Sequence, residues 1–209
     1  MSTILRAPED VVNNAIARLG YTQRIGSLLE GSQASKLALD LYSQERDRAL
    51  REGNWQFARH DAVLTLINAA PEEGYSPATP WDGATYPPQP WSYQYEYPAD
   101  CLRVLSIKQQ QIFIPDFAPT AVVFTTYNGQ TEDDPPVPVK TLLCNVGPTA
   151  IVVYRRQVTN PANWDPGFTE ALCANLAKLL SPGLQPSMFQ AAAAGGQIET
   201  AKAQMEQQG

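Results

Sequence analysis

The sequence predicts an α+β fold: an antiparallel helical bundle of about four helices, with a small antiparallel β domain inserted between its halves. Three observations predict it. Apolar residues recur at helical spacing, between start and stop signals, near both ends of the chain. The middle instead carries short β-branched and aromatic runs set apart by turn residues. Helices outside and strands inside let the outer segments pair as one bundle. This gives three regions: a first half at 1–67, an insert at 68–164 and a second half at 165–209.

Pro8, Glu9 and Asp10 open the first helix, with proline at the first helical position and acids at the positive end of the helix dipole. Val12, Ala15, Ile16 and Leu19 follow at helical spacing, and Gly20 is a natural stop. A short connector leads to Ser32, a suitable N-cap for a long helix that ends at Gly53.

That helix is unusually apolar. Leu37, Leu41, Ala34, Ala38, Ala49, Tyr42, Leu39 and Leu50 spread over more than half of its circumference, and Lys36, Asp40, Ser43, Gln44, Asp47 and Arg51 leave only a narrow polar stripe. Glu45, Arg46 and Glu52 fall inside the apolar arc. An arc this wide suggests burial on two sides, one against the chain's own bundle and one against a neighbour. Trp55 and Phe57 follow on a short extension ending at His60, and are expected to anchor the end of the helix to the β insert.

From Pro71 to Pro98 the texture changes to PEEGYSPATPWDGATYPPQPWSYQYEYP. Proline blocks helices and removes ladder donors, so this is a long irregular loop. Its tyrosines and tryptophans suit partner contact. Five runs then read as strands: CLRVLSI, QIFI, AVVFTTY, KTLLCNV and AIVVYRRQV. Asn128-Gly129 and the prolines Pro135, Pro136 and Pro138 mark turns. Helix returns with Asp165 as cap, Pro166 at the start and a stripe of Phe168, Leu172, Leu176 and Leu179, and Pro182-Gly183 is expected to end it. A last helix is expected from about Ser187, with two glycines, Gly195 and Gly196, that weaken it by roughly 1 kcal/mol each.

Composition excludes several roles. The 209 residues are 44% hydrophobic, enough for a packed core, and the net charge of −6 argues against gripping nucleic-acid phosphates. The three cysteines are far apart and lie in apolar runs, which suits buried thiols in a reducing compartment better than zinc or disulfides. No signal peptide is evident, and no window approaches the roughly 18 apolar residues of a membrane span. Synthesis in a cytoplasm, with no membrane partner, is therefore expected.

His60 is the only histidine. Asp61 stands beside it, but adjacent residues do not form a working pair on a helix, and no nucleophile is placed to join them. Phosphate-binding glycine loops, HExxH and EF-hand patterns are missing. Glu72-Glu73 and Glu132-Asp133-Asp134 are acid clusters in loops, where solvated turn residues are the ordinary case. No catalytic residue, cofactor or metal is expected.

Several segments nevertheless form a familiar series. The pattern A-x-x-x-L-G at Ala15 to Gly20, then SLLEGSQAS, LYSQERDRALREGNWQFA, WSYQYEYPADCLRVLSI, and Tyr154 leading through NPANWDPGFTEALCANLAKLL, together resemble the head-to-tail adaptor proteins of short-tailed bacteriophages, also called tail tubular protein A. The segments cover most of the chain. The chain departs from the family at residues 71–90 and 130–139, which make longer loops, and in the little that follows its last helix.

The resemblance implies a helical bundle with an inserted β domain. It also implies a structural virion protein: a homo-oligomeric, twelve-fold ring under the portal protein. Such a ring extends the DNA channel, docks the tail nozzle and the fibres or spikes, and closes the filled capsid. DNA would pass through an acidic lumen without specific binding. On this reading Leu39, Glu45, Arg46 and Leu50 become candidates for the subunit interface, and Phe189, Ile198 and Met205 for the portal contact. The alternatives are a tail-associated hydrolase acting on cell-wall or capsule polysaccharide, and a module that binds fibre or glycan through the aromatic loop.

Overall fold

The computed structural model describes residues 7–83, 85–109, 122–130 and 138–184. Among them are three helices, α1 (Pro8–Arg18), α2 (Gln33–Glu52) and α3 (Pro166–Leu184), and seven strands. The strands are β1 (Arg59–Val63), β2 (Leu66–Ala69), β3 (Tyr93–Glu96), β4 (Cys101–Gln109), β5 (Phe124–Gln130), β6 (Pro138–Cys144) and β7 (Ala150–Arg156). The chain divides into two compact units. One holds the chain up to Phe57 and from Val158 onward, and the other holds Ala58–Gln157.

The class is α+β, but the expected four-helix bundle with a small insert is overturned: the described residues hold three helices and two antiparallel sheets. The expected fourth helix, and with it Phe189, Ile198 and Met205, lies outside the described residues, as does the run QIFI. The extra strands come from two places. Residues 59–69 follow the break at Gly53 and form β1 and β2, a segment to which the expected first half, 1–67, assigns no strand. Residues 93–96, inside the aromatic loop, form β3, because the alternation of Tyr93, Gln94, Tyr95 and Glu96 is a strand period of two.

The helical unit follows its sequence signals closely at the helix starts. The Ala7 amide donates to Asp10 Oδ2 at 3.1 Å, Ser32 Oγ accepts from the Ser35 amide at 3.2 Å, and Asp165 Oδ1 accepts from the Gly167 amide at 2.7 Å. Gly20 takes the left-handed backbone, φ +81°, that ends α1. The end of α3 differs from expectation: Pro182 lies inside the helix, which runs on to Leu184. α2 and α3 are antiparallel. Gln33, at the start of α2, donates to the Gly183 carbonyl at 2.8 Å, while Trp55, beyond the end of α2, stacks edge-on against Phe168 near the start of α3. The core joins Val11, Val12, Ala15 and Ile16 of α1, Ala38 and Leu50 of α2, and Phe168, Leu172, Leu176 and Leu180 of α3. The connector after α1 is held by Asn13, whose amide exchanges two hydrogen bonds with the Ile25 backbone, at 2.8 and 3.0 Å.

The β unit is a pair of sheets, one ordered β1-β7-β4 and the other β2-β3-β6-β5, antiparallel throughout. The chain crosses between them at Leu64 and Thr65. The Leu64 amide donates to Ala150 of one sheet, and the Thr65 carbonyl accepts from Glu96 of the other, both at 2.9 Å. Tyr95, Leu142 and Cys144 from one sheet and Ile107, Ala150, Val152 and Tyr154 from the other form a shared core. The Tyr95 hydroxyl, buried there, lies 2.7 Å from the Val146 carbonyl and 2.6 Å from that of Gly147. Two inner faces of alternating apolar residues explain why the unit needs both sheets.

Candidate interaction surfaces

The buried residues of α2 are Ser35, Ala38, Tyr42, Glu45, Arg46 and Leu50, spaced by threes and fours along one face. Leu50 has no exposed surface, so in this chain it belongs to the core. Leu39 is different: 46% of it is exposed, although the helical wheel places it close to Leu50. The apolar arc is thus covered at the C-terminal half of α2 and open at Leu39. This is where the excess breadth seen in the sequence meets solvent.

Glu45 and Arg46 turn inward, at 6% and 8% exposure, and do not pair with each other. The Arg46 guanidinium lies 2.7 Å from Asp47 and 5.9 Å from the centre of the Tyr42 ring. Glu45 lies 3.7 Å from Arg48, which also reaches Glu52 at 3.1 Å. These contacts are between near neighbours on one helix, so the charges inside the apolar arc find partners without a second chain. Buried charge is costly unless paired, which explains why the cluster forms. Tyr42 sits at its edge. Its hydroxyl is buried with no hydrogen-bond partner among the described residues, and burial pushes its pKa up to about 12.

Trp55 and Phe57, the residues expected to anchor the end of α2 to the β insert, both pack on Phe168, at 5.3 and 5.4 Å between ring centres, and Trp164 completes the cluster at 5.0 Å. They lock the end of α2 to the start of α3.

The long loop is folded on itself. Tyr75 and Tyr86 pack edge to face at 5.5 Å, Trp81 donates its indole N–H to the Pro87 carbonyl at 2.9 Å, and Thr85 donates to Asp82 at 2.8 Å. Trp81 still shows 47% of its surface to solvent. An opening of about 140 Å³ lies between the α1–α2 connector and the start of α2, lined by Tyr21, Arg24, Ile25, Glu30, Gln33 and Leu184. It is well below the roughly 300 Å³ at which small-molecule sites begin.

His60 faces Tyr154 edge-on at 5.5 Å, while Asp61 is engaged by Lys108 at 3.3 Å and Arg59 at 3.8 Å. The two neighbours therefore point to different partners, as alternation along a strand requires. Among the described residues no group of three or more His, Cys, Asp or Glu side chains could hold a metal ion. Burial pushes the Cys173 thiol up to about 11 and also raises those of Cys101 and Cys144, the opposite of an activated nucleophile.

Sequence reasoning missed one feature altogether, a row of arginines across the sheet β1-β7-β4, because only strand register brings its members together. Compared with models of known protein families and with curated proteins, the chain matches none.

Proposed function

We propose that this chain is a structural virion protein, the head-to-tail adaptor of a short-tailed bacteriophage. In this reading it forms a twelve-fold ring beneath the portal protein, continues the DNA channel, and presents a surface to the tail nozzle and to the fibres or spikes. The observation that carries the reading is the ordered series of resembling segments spread along most of the chain. Two structural features support it. Residues 58–157 form a β unit, and the helical unit is drawn from both sides of it in sequence. And α2 leaves Leu39 open beside a face that is otherwise closed.

Assembly is then the mechanism. Apolar area removed from water contributes roughly 25 cal/mol per Å², and a ring closes when one face of a subunit meets a different face of the next. The organised loop with its exposed Trp81 supplies a rigid aromatic surface for a fibre or nozzle chain.

The test is the native mass of the purified protein, alone and mixed with the portal protein of the same virus. A stable complex of twelve copies on the portal ring is the expected result. A chain that never joins the portal, at any concentration, removes the reading.

A further inference from the structure

The two sheets of the β unit end in four edge strands, β1 and β4 in one sheet and β2 and β5 in the other. An edge strand presents unpaired N–H and C=O groups to any strand that meets it, and folded proteins blunt such edges with charge, proline, bulges or shortness. Three of the four are blunted here. β1 carries Arg59 and Asp61. β4 carries Arg103 and Lys108 and breaks register twice, between Cys101 and Arg103 and between Val104 and Ser106. β2 is four residues long and breaks register between Leu66 and Asn68.

β5 has none of these devices. Its seven residues, FTTYNGQ, hold no charge and no proline. They run in unbroken register against β6, from Phe124 opposite Cys144 to Gln130 opposite Pro138. Among the described residues no strand pairs with the other side of β5. Its middle is open to solvent. Thr126 and Asn128 are exposed, Tyr127 shows 41% of its surface, and Val123, just ahead of the strand, shows 75%. Tyr127 also stiffens this edge: its ring lies 3.5 Å from where a Cβ on Gly129 would stand, over the residue that most weakens a strand.

We propose that β5 is a docking edge, and that its occupant is β5 of a second copy of this chain, paired antiparallel about Tyr127. Tyr127 is the middle residue of the strand, so this register pairs all seven positions. It sets Tyr127 opposite its own counterpart, Thr126 opposite Asn128 and Thr125 opposite Gly129. Aromatic pairs across strands are favourable, and no like charges are opposed. Two four-stranded sheets become one of eight strands, and the outward N–H and C=O groups of both edges find partners. Charge supports the same occupant. The chain carries −6, so two copies repel over most of their surfaces, and β5 is an uncharged edge at which they can meet. A two-fold contact closes on itself and builds no ring, so the inference stands apart from the adaptor reading.

Native mass and amide hydrogen exchange of the full chain, over a range of concentrations, test it with Tyr127→Lys, Tyr127→Glu and an equimolar mixture of the two. The wild type should pass from monomer to dimer, with the amides of residues 124–130 exchanging roughly tenfold or more slowly in the dimer. Each variant sets like charges opposite one another and should weaken the dimer roughly tenfold or more. The mixture opposes lysine to glutamate and should recover it. A wild type that stays monomeric overturns the proposal, as does any multimer whose formation leaves 124–130 exchanging at the monomer's rate. So does a dimer that neither variant weakens, or a mixture of folded variants that recovers nothing. Urea midpoints show whether the variants fold, and where one does not, the exchange of the wild type decides alone. Protection of β5 that comes only on adding another protein also overturns the proposal, because the edge then takes a foreign strand.

Discussion

Trp55 folds back over the last turn of α2 and donates its indole N–H to the Ala49 carbonyl at 2.9 Å, and it can do so only because position 53 is glycine. A Cβ built on Gly53 would lie 1.9 Å from the indole nitrogen and 2.5 Å from the next ring atom. The indole gives a second hydrogen bond to a carbonyl that already accepts from the Gly53 amide at 3.1 Å, and its ring then meets Phe168. Gly53→Ala must therefore expel a ring that is packed on another, so relief is not cheap. A loss of roughly 1–3 kcal/mol is expected, read as a lower urea midpoint with unchanged slope. An unchanged midpoint would mean that the indole has another comfortable position.

Leu39 and Leu50 should separate folding from association. Leu50→Ala removes a side chain with no exposed surface and should cost about 2–5 kcal/mol of stability. Leu39→Ala, at 46% exposure, should change stability by no more than about 0.5 kcal/mol and should weaken the ring instead. Denaturation curves and native mass on the two variants give the comparison. Equal destabilisation by both would make Leu39 ordinary core.

The helical unit was legible because its signals are local. Ser32, Asp165, Pro8 and Gly20 each act within one turn of the residue that reads them, and each stands where the sequence placed it. Pro182 misled because a proline in the last turn lacks only its own amide bond, and the helix passes through it to Leu184. β1 and β2 were missed because Arg59–Val63 and Leu66–Ala69 are too short for a period of two to stand out. The arginine row was illegible for a different reason. Arg59, Arg103 and Arg155 belong to three separate segments of the chain, and the antiparallel register that lines them up is set by the packing of the whole sheet. The partners of Glu45 and Arg46, by contrast, lay within three residues on the same helix.

Tyr42 invites a substitution that should do no harm. Its hydroxyl is buried without a hydrogen-bond partner among the described residues, while its ring lies under the Arg46 guanidinium. Tyr42→Phe keeps the ring and removes the unsatisfied oxygen. Stability should stay level or rise by up to about 1 kcal/mol, measured by thermal or urea unfolding. A loss greater than that would reveal a hydrogen bond to the hydroxyl.

Cys173 sets how the fold meets alkaline conditions. Its thiol is fully buried, donates to the Val11 carbonyl at 3.5 Å, and is held by burial at about 11 against an ordinary value of 9.0. Between those values the folded chain keeps a proton that the unfolded chain has released, so raising the pH favours unfolding. The contribution is intact below pH 9 and is lost as the pH climbs to about 11, at most about 3 kcal/mol at ~1.4 kcal/mol per pH unit. Tyr42 adds the same effect in a later window, from its ordinary 10.0 to about 12. The urea midpoint should therefore begin to fall near pH 9 and steepen above 10. Cys173→Ala lowers the midpoint at neutral pH through the cavity it leaves, so the quantity to compare is the slope against pH. That slope should be shallower in Cys173→Ala between pH 9 and 10, before Tyr42 contributes. Parallel slopes for the two proteins would show that the thiol titrates normally in the folded chain, with water reaching it.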